Sequence, residues 1–403
     1  MSEVFGRRGD RKEILKEIIR KLHSGEDPSE AKKKFKELLG SVDPLEISQV
    51  EQELVREGIS REEIQKLCEV HLEVFKESLE KQEEVLKKGH PITILKEEHR
   101  ILLEYANRLV NILSIIKSEE EFSPKEEDVV DIINHLKESE KHYLREENVL
   151  FPYLEKHGIV EPPAVMWREH DMIRGIKKEI YSALEGMKKN FSESLNKIRS
   201  KSDDLLQLLS SHFYKENNIL FPTGLRVIKE SEWLEIREQF DEIGYCCFTP
   251  EATLAPFSGI KEEKISKEME GTITLETGSF TVEELENLLN TLPVDITFVD
   301  KNDQVRYFSQ TKDRIFVRTK AVIGRKVQQC HPQKSLHVVN QIIEDFRSGK
   351  RDSAEFWINM NGRLIYIRYF AVRDKGGNYL GTVEVTQDIT DIKKIEGEKR
   401  LLD

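Results

Sequence analysis

The chain has 403 residues, which is enough for several domains with separate cores, and it carries a formal net charge of −12 with 34% charged residues. Lysine and glutamate are interspersed, and this balance argues against non-specific nucleic-acid binding. Four cysteines provide no disulfide framework, and we find neither a membrane-spanning apolar run nor a start typical of signal peptides. We therefore predict a cytoplasmic protein without nucleic-acid or membrane partners.

Residues 1–87 are predicted to form an all-α domain of short helices. Isoleucine and leucine recur with helical spacing over residues 12–23, and a capping-box pattern begins at Ser60. Cys68 and His71 have the spacing of metal ligands, but two groups do not make a site. We favour the alternative that Cys68 is a buried thiol packing as a small apolar side chain.

Residues 88–243 are predicted to form a four-helix bundle. Four long amphipathic segments follow the helix-breaking Gly-His-Pro sequence at residues 89–91, and each is centred on a histidine. These histidines are His99, His142, His170 and His212. Pro152 and Pro222 come shortly after two of them, and we expect these prolines to end the helices. Inward-pointing ligands on four helices are the usual form of a metal site in a bundle core.

An eleven-residue motif occurs twice in this region. The segment 142–152 returns as 212–222 with six of eleven positions identical, and each copy contains a His-x-x-x-Glu pair. Residues four apart lie on one helical face, so Glu146 and Glu216 can point where their histidines point. A Glu-His pair containing one of the other two histidines precedes each copy. The two halves therefore supply two sets of two histidines and one glutamate.

These repeated sets predict metal binding more strongly than a single pair would. One His-x-x-x-Glu pair arises often by chance, and a lone helical histidine is usually a core or surface residue. Repeated His and Glu on an inner face need polar partners, and two metal ions are the simplest partners. Imidazole with carboxylate suits iron, manganese or zinc, and two histidines with one carboxylate and open positions favour non-haem Fe(II). The Glu-x-x-His spacing of ferritin-like sites is absent.

The remaining sequence is predicted to be a linker followed by an α+β domain. Residues 244–279 contain prolines and several glycines, which are typical of a linker, and from residue 280 the period changes from helical to alternating. We predict strands over 295–300, 305–308, 354–360, 363–372 and 380–386, and helices over 335–346 and 391–402. Residues 280–403 should thus form a five-stranded antiparallel sheet with its helices.

With these motifs in view, residues 92–230 resemble the hemerythrin-like, or HHE cation-binding, domains. The set of four histidines and two glutamates is similar to that of di-iron proteins implicated in repair of iron–sulfur clusters after nitrosative stress. The resemblance implies two non-haem irons with the four histidines as terminal ligands and Glu146 and Glu216 as bridges. Oxygen-carrying hemerythrins have a histidine where this chain has Arg174 and an aspartate where it has Asn217. These departures argue against a plain O₂ store.

The flanking regions have their own resemblances. Residues 10–85 are similar to a domain of unknown function, DUF438, that often precedes such bundles. Residues 280–395, including the ending Thr386-Gln-Asp-Ile-Thr390, resemble a PAS domain. The expected fold is therefore multidomain, with an all-α N-terminal domain, a hemerythrin-like four-helix bundle and an α+β PAS domain. PAS domains commonly sense ligands or dimerise, so the resemblance also implies a homodimer through this domain.

Several further residues are candidates for function. His135 and Glu138 precede His142 at helical spacing, and they form either a proton path or accessory ligand set, or a solvated helix end. Arg174 either holds an anionic substrate or covers a carboxylate. His331 and His337 of the PAS region are candidate haem ligands, although a PAS domain without cofactor is the favoured alternative. For the adjacent Cys246 and Cys247 we favour two packed thiols over a disulfide.

The preferred function is a cytoplasmic non-haem di-iron protein that binds or reacts with O₂ or NO, and that acts as a redox or gas sensor through its PAS domain. The alternative is a di-iron enzyme that reduces NO or peroxide, or that donates iron to damaged iron–sulfur clusters. An enzyme would need an external electron donor, and a sensor would need a partner protein. The sequence does not choose between these two functions.

Overall fold

The computed structural model describes residues 88–257, 271–398 and Arg400, together with scattered positions between 13 and 86. The helices predicted for the N-terminal domain, and Cys68 with His71, fall mostly or wholly outside the described residues. The chain divides into two compact units, Met1–Lys261 and Glu262–Asp403.

The first unit contains the predicted helical bundle. Its α-helices are α1 (Pro91–Ile115), α2 (Glu119–Phe122), α3 (Glu126–Glu138), α4 (Glu140–Arg145), α5 (Phe151–Lys156), α6 (Glu161–Gly186), α7 (Phe191–Lys215), α8 (Phe221–Val227) and α9 (Glu230–Ile243). Helix α1 begins at Pro91, and the His90 side chain caps it by accepting a hydrogen bond from the backbone N–H of Ile92. Leucines at helical spacing line one face of α1, and this face packs in the core against apolar residues of α3, α6 and α7.

The two motif helices do not end at their prolines. A π-helical turn, Glu146–Leu150 in the first copy and Glu216–Leu220 in the second, is followed directly by α5 or α8. Pro152 and Pro222 occupy the second position of those helices, where a missing N–H costs little. The prediction that the prolines terminate the helices is therefore wrong, because the wider turn accommodates them.

A second irregularity lies just before the first motif. The helix is interrupted at Ser139, between α3 and α4, although the backbone of Ser139 stays in the right-handed helical region. Lys177 of α6 is buried against this interruption, and its Nζ donates to the carbonyl of Leu136 at 3.0 Å and to Ser139 Oγ at 2.9 Å. Burial lowers the pKa of Lys177 to about 8.

The start of the predicted linker is packed onto the bundle. Residues 245–257, called the strap below, include a 3₁₀ turn at Glu251–Leu254 and place Phe248 against the core. Arg237 of α9 donates to the Ala255 carbonyl at 3.1 Å. A Cβ at Gly89 would lie 2.1 Å from the same carbonyl oxygen, so the strap needs glycine there. The linker prediction is thus corrected for these residues, while 258–270 lie outside the described part.

The second unit has the predicted α+β fold. Its strands are β1 (Thr272–Leu275), β2 (Gly278–Thr281), β3 (Asp295–Asp300), β4 (Val305–Phe308), β5 (Ser353–Met360), β6 (Arg363–Arg373) and β7 (Tyr379–Asp388), with helices α10 (Val282–Thr291) and α11 (Leu336–Arg347). Strands β3–β7 form an antiparallel sheet in the order β4-β3-β7-β6-β5, and β1 and β2 form a separate hairpin. Asn361 and Gly362, both with positive φ, make the predicted turn between β5 and β6.

Three local features of this unit differ from expectation. The β1–β2 hairpin and α10 were not predicted, and β1–β2 starts within the predicted linker. The predicted helix over 391–402 is a single 3₁₀ turn, Ile392–Lys394, in the described residues. Among the described residues of both units, no helix combines the length and hydropathy that crossing a membrane requires.

Candidate metal centre

Four helices and two π turns bring the six predicted ligands together in the bundle core. The histidines lie on α1, α4, α6 and α7, and Glu146 and Glu216 are the first residues of the two π turns. Their ligand atoms form two groups, each with all members within 4.8 Å of one another: His99, His142, Glu146 and Glu216, and Glu146, His170, His212 and Glu216. All six side chains are at most 1% exposed. The two glutamates are shared between the groups, as expected of bridging carboxylates.

The spacing of these atoms suits metal coordination. Nε2 of His99 and of His212 lie 3.2 and 3.3 Å from oxygens of Glu216, and His170 Nε2 lies 3.3 Å from Glu146. Ligands bound to one ion at about 2.1 Å lie about 3 Å apart. The buried Nε2 atoms of His99 and His142, and all four oxygens of the two glutamates, have no hydrogen-bond partner. Buried polar atoms of this kind are costly unless something binds them, so the residues fit a metal.

The pKa shifts of Glu146 and His142 also favour a cation in this pocket. Burial, together with the nearby charge of Glu216, raises the pKa of Glu146 to about 8. Burial lowers the pKa of His142 to about 4. The pocket therefore disfavours two free carboxylate charges, and a divalent cation between them would relieve that repulsion.

A second side chain holds each imidazole from behind. The partner distances at Nδ1 are 2.7 Å for His142 with Glu98, 2.8 Å for His212 with Glu169, 2.8 Å for His170 with Glu147 and 3.1 Å for His99 with Asn217. A carboxylate or amide oxygen accepts, so each Nδ1 carries the proton and each Nε2 faces the centre. This orientation is what a metal-binding histidine requires.

Three cations balance the carboxylates that hold the histidines, and two of them, Arg145 and Lys215, are buried. Arg145 Nη2 donates to Glu98 at 2.7 Å, Lys215 pairs with Glu169, and Arg174 Nη1 donates to Glu147 at 2.8 Å. Burial alone would raise the pKa of Glu98, but the Arg145 charge and the hydrogen bond from His142 outweigh it and lower it to about 2. These carboxylates are thus held as anions inside the bundle.

The sequence contained a signal for these supporting residues. Glu98 and Glu169 are the glutamates of the two Glu-His pairs, while Glu147 and Asn217 directly follow the two glutamates that both ligand groups share. Each glutamate of a Glu-His pair supports a histidine of the following motif rather than its own neighbour. Sequence reasoning noted the pairs but assigned these residues no role.

The accessory candidates lie elsewhere. Glu138 is exposed, and the half-buried His135 stacks on Tyr105 at 4.6 Å while its Nδ1 meets the Asp131 carbonyl. Neither belongs to the ligand groups, so the structure does not bring them to the candidate centre, and the proton path or accessory ligand set stays a prediction. Arg174 covers a carboxylate, Glu147, which was one of its two predicted roles.

The PAS unit has a cavity of its own. The cavity measures about 330 Å³, near the lower end of the ~300–1,000 Å³ typical of small-molecule sites, and lies between α11 and the sheet. His331 lines it, with Nδ1 donating to the Val327 carbonyl at 2.8 Å. His337 is exposed and does not line the cavity, so the structure does not bring it together with His331, and haem binding by these residues stays a prediction.

The adjacent cysteines behave differently from each other. Cys246 is buried and Cys247 is exposed, and both are free thiols. Burial raises the pKa of Cys246. The preference for thiols over a disulfide agrees with this, although only Cys246 is packed in the interior.

Comparison with known proteins identifies three segments. Family models match residues 15–81 as the family of unknown function DUF438, residues 90–223 as the hemerythrin HHE cation binding domain, and residues 285–390 as a PAS domain. No curated protein matched the chain.

Several solved structures were also similar to parts of the chain. A C-terminal domain from Streptococcus mutans is 34% identical over 32% of this chain and 98% of that one, with a TM-score of 0.30. A sensory box sensor histidine kinase from Vibrio cholerae is 12% identical over 26% and 89%, with a TM-score of 0.22. The PAS domain of BvgS from Bordetella pertussis is 18% identical over 28% and 88%, with a TM-score of 0.23. The three family matches show that the chain joins a DUF438 segment, a hemerythrin HHE cation binding domain and a PAS domain, a combination that supports a metal-binding protein of the sensor type.

Proposed function

We propose that this protein is a cytoplasmic non-haem di-iron protein that binds or reacts with O₂ or NO and acts as a redox or gas sensor coupled to its PAS domain. The observation that carries the proposal is the pair of four-ligand groups sharing Glu146 and Glu216. Manganese and zinc accept similar donors, and iron is preferred because nitrogen and carboxylate ligands with open positions suit its reactions with small molecules. Iron held there would supply open coordination positions and a redox couple.

The residues of the bundle support a site that responds to its ligand. The six ligands are buried, so bulk water is kept from the centre. The four histidines are fixed through Nδ1, whereas the four oxygens of Glu146 and Glu216 have no hydrogen bond to hold them. The glutamates can therefore change their binding mode as the charge at the centre changes, while the histidines stay in place.

The PAS domain is the proposed route of output, through a homodimer. Trp357 is 66% exposed on β5, an edge strand of the sheet, and it pairs with Tyr366 across the β5–β6 ladder. An exposed tryptophan on an unpaired edge favours a protein–protein contact. The partner protein that receives the signal, and the electron donor that an enzyme would need, stay unassigned.

The experiment that tests this function uses the full chain purified without oxygen. We expect about two irons per chain and an optical change after one equivalent of O₂ or NO, together with a change in sedimentation that reports the dimer. A variant with both His142→Ala and His212→Ala should lose both irons, because one histidine of each group is removed. Two tightly bound irons in that variant would overturn the ligand assignment.

The same preparation distinguishes the alternative function. An enzyme that reduces NO or peroxide should consume many equivalents per site when a reductant is supplied, whereas a sensor should stop after stoichiometric binding. Transfer of iron to an apo iron–sulfur protein would instead indicate the iron-donating function. Zinc alone, without any optical response, would contradict both redox functions.

A further inference from the structure

We infer that the two metal positions are unequal, and that the ion between His99 and His142 is released more readily than the ion between His170 and His212. The inference rests on the proposed function in one respect, namely that the centre holds two ions. It goes further by assigning a labile and a retained position, and by naming Asn217 as the residue that makes the difference.

The two halves of the bundle support two of the four histidines with equivalent residues and the other two with different residues. The motif repeat places Glu98 opposite Glu169 and Arg145 opposite Lys215, and each of these pairs does the same work behind its histidine. The equivalence fails behind the other two histidines. His170 is held by the carboxylate of Glu147, but His99 is held by the amide of Asn217.

A carboxylate and an amide do not support a metal-bound imidazole equally. The His170–Glu147 distance is 2.8 Å and the His99–Asn217 distance is 3.1 Å, as expected for a charge-assisted and a neutral hydrogen bond. Accepting the Nδ1 proton with a full negative charge makes the imidazole a better electron donor at Nε2. Loss of such a partner typically lowers metal affinity about 10–100-fold.

The residues four positions after His170 and His99 also differ between the two halves. Arg174, which pairs with Glu147, sits four residues after His170, and the matching position after His99 is the apolar Leu103. The half that keeps the carboxylate thus also keeps a cation to balance it. The other half has neither at the matching positions, which are Asn217 and Leu103.

The test measures metal release rather than activity. The full chain is loaded with Fe(II) without oxygen, a large excess of a chelator is added, and iron left on the protein is followed with time. We expect two phases of about one ion each, with rates about 10–100-fold apart. Asn217→Asp should slow the fast phase towards the slow one, and Glu147→Gln should speed the slow phase.

A matched control distinguishes the effect of the side chain that contacts His99 from the effect of one more negative charge nearby. Asn218→Asp introduces the same charge one residue away, where the side chain donates to the Tyr214 carbonyl instead of a ligand histidine. This variant should leave both phases unchanged. Loss of both ions in one phase, or an unchanged fast phase in Asn217→Asp, would overturn the inference. Fewer than two ions at saturation before the chelator is added would instead reject the di-iron function itself.

Discussion

At the scale of single residues, Glu98 links three parts of the first unit. Its carboxylate accepts from Nδ1 of His142, from the buried guanidinium of Arg145 and from the hydroxyl of Thr249. Glu98 and Arg145 are both fully buried, so water cannot replace either member of the pair if the other is removed. A buried pair of this kind contributes little when complete, but it becomes costly when one partner is lost.

Glu98→Gln should therefore harm both stability and metal binding. The free energy of unfolding of the metal-free protein should fall by about 3–5 kcal/mol, because Arg145 would be left as an uncompensated buried charge. Metal affinity should fall about 10–100-fold, because His142 loses its anionic partner. Denaturant unfolding and metal titration measure the two effects. Glu97→Gln is the control, since Glu97 pairs with the exposed Arg100 and should cost at most about 1 kcal/mol.

At the scale of elements, the junction of α5 and α9 depends on one glutamate. Glu232 accepts from Lys156 at 2.8 Å and lies 2.6 Å from His157 Nε2, at the end of α5. Its carboxylate also accepts from the Lys229 backbone N–H, which caps the start of α9. Burial would raise the pKa of Glu232, but these hydrogen bonds outweigh it and lower it to about 2. The Glu232 carboxylate thus links the end of α5 to the start of α9, two helices that are far apart in the sequence.

The contribution of Glu232 should depend on pH in a defined window. Its pKa is about 2 in the folded protein and 4.5 as the ordinary value, so the stabilisation is complete above 4.5 and is lost as pH falls towards 2. Glu232→Gln should lower the free energy of unfolding by about 1 kcal/mol at pH 7, a modest value because Lys156 is exposed. Denaturant curves from pH 7 to pH 2.5 should show the two proteins converging. The exposed Glu242→Gln in the same helix should change stability by less than about 0.5 kcal/mol. A difference that grows on acidification would contradict the assignment.

The elements also show which features the sequence could predict. Strands β3–β7 lie within two residues of their predicted bounds, because alternation and the Asn361-Gly362 turn are local signals. The ligand positions were recognisable because the motif is repeated. The π turns and the interruption at Ser139 were not predictable, since they depend on contacts such as that of Lys177 with Leu136. Helical periodicity predicted His135 and Glu138 on the face of His142, whereas His135 stacks on Tyr105 and Glu138 is exposed.

At the scale of the whole molecule, the strap is the part of the chain that leads from the bundle towards the second unit. Proline and glycine made it look like a linker, yet Phe248 packs against the core and Tyr245 covers Arg145 at 4.8 Å. Thr249 adds a direct hydrogen bond to Glu98. One carboxylate therefore separates the strap from His142, a predicted metal ligand, so the strap and the candidate centre are connected through two hydrogen bonds.

Removal of the Thr249 hydroxyl should make amide hydrogen exchange in the strap independent of metal binding. In the wild-type protein, metal loading should slow amide hydrogen exchange over residues 245–257, because an ordered His142 fixes Glu98 and hence Thr249. Thr249→Val removes the hydroxyl with little change in shape, and the metal-dependent slowing should largely disappear while two ions still bind. Thr253→Val is the control, because Thr253 donates within the strap to the Pro250 carbonyl. An equal response to metal in Thr249→Val and wild type would show that the strap does not follow the state of the centre.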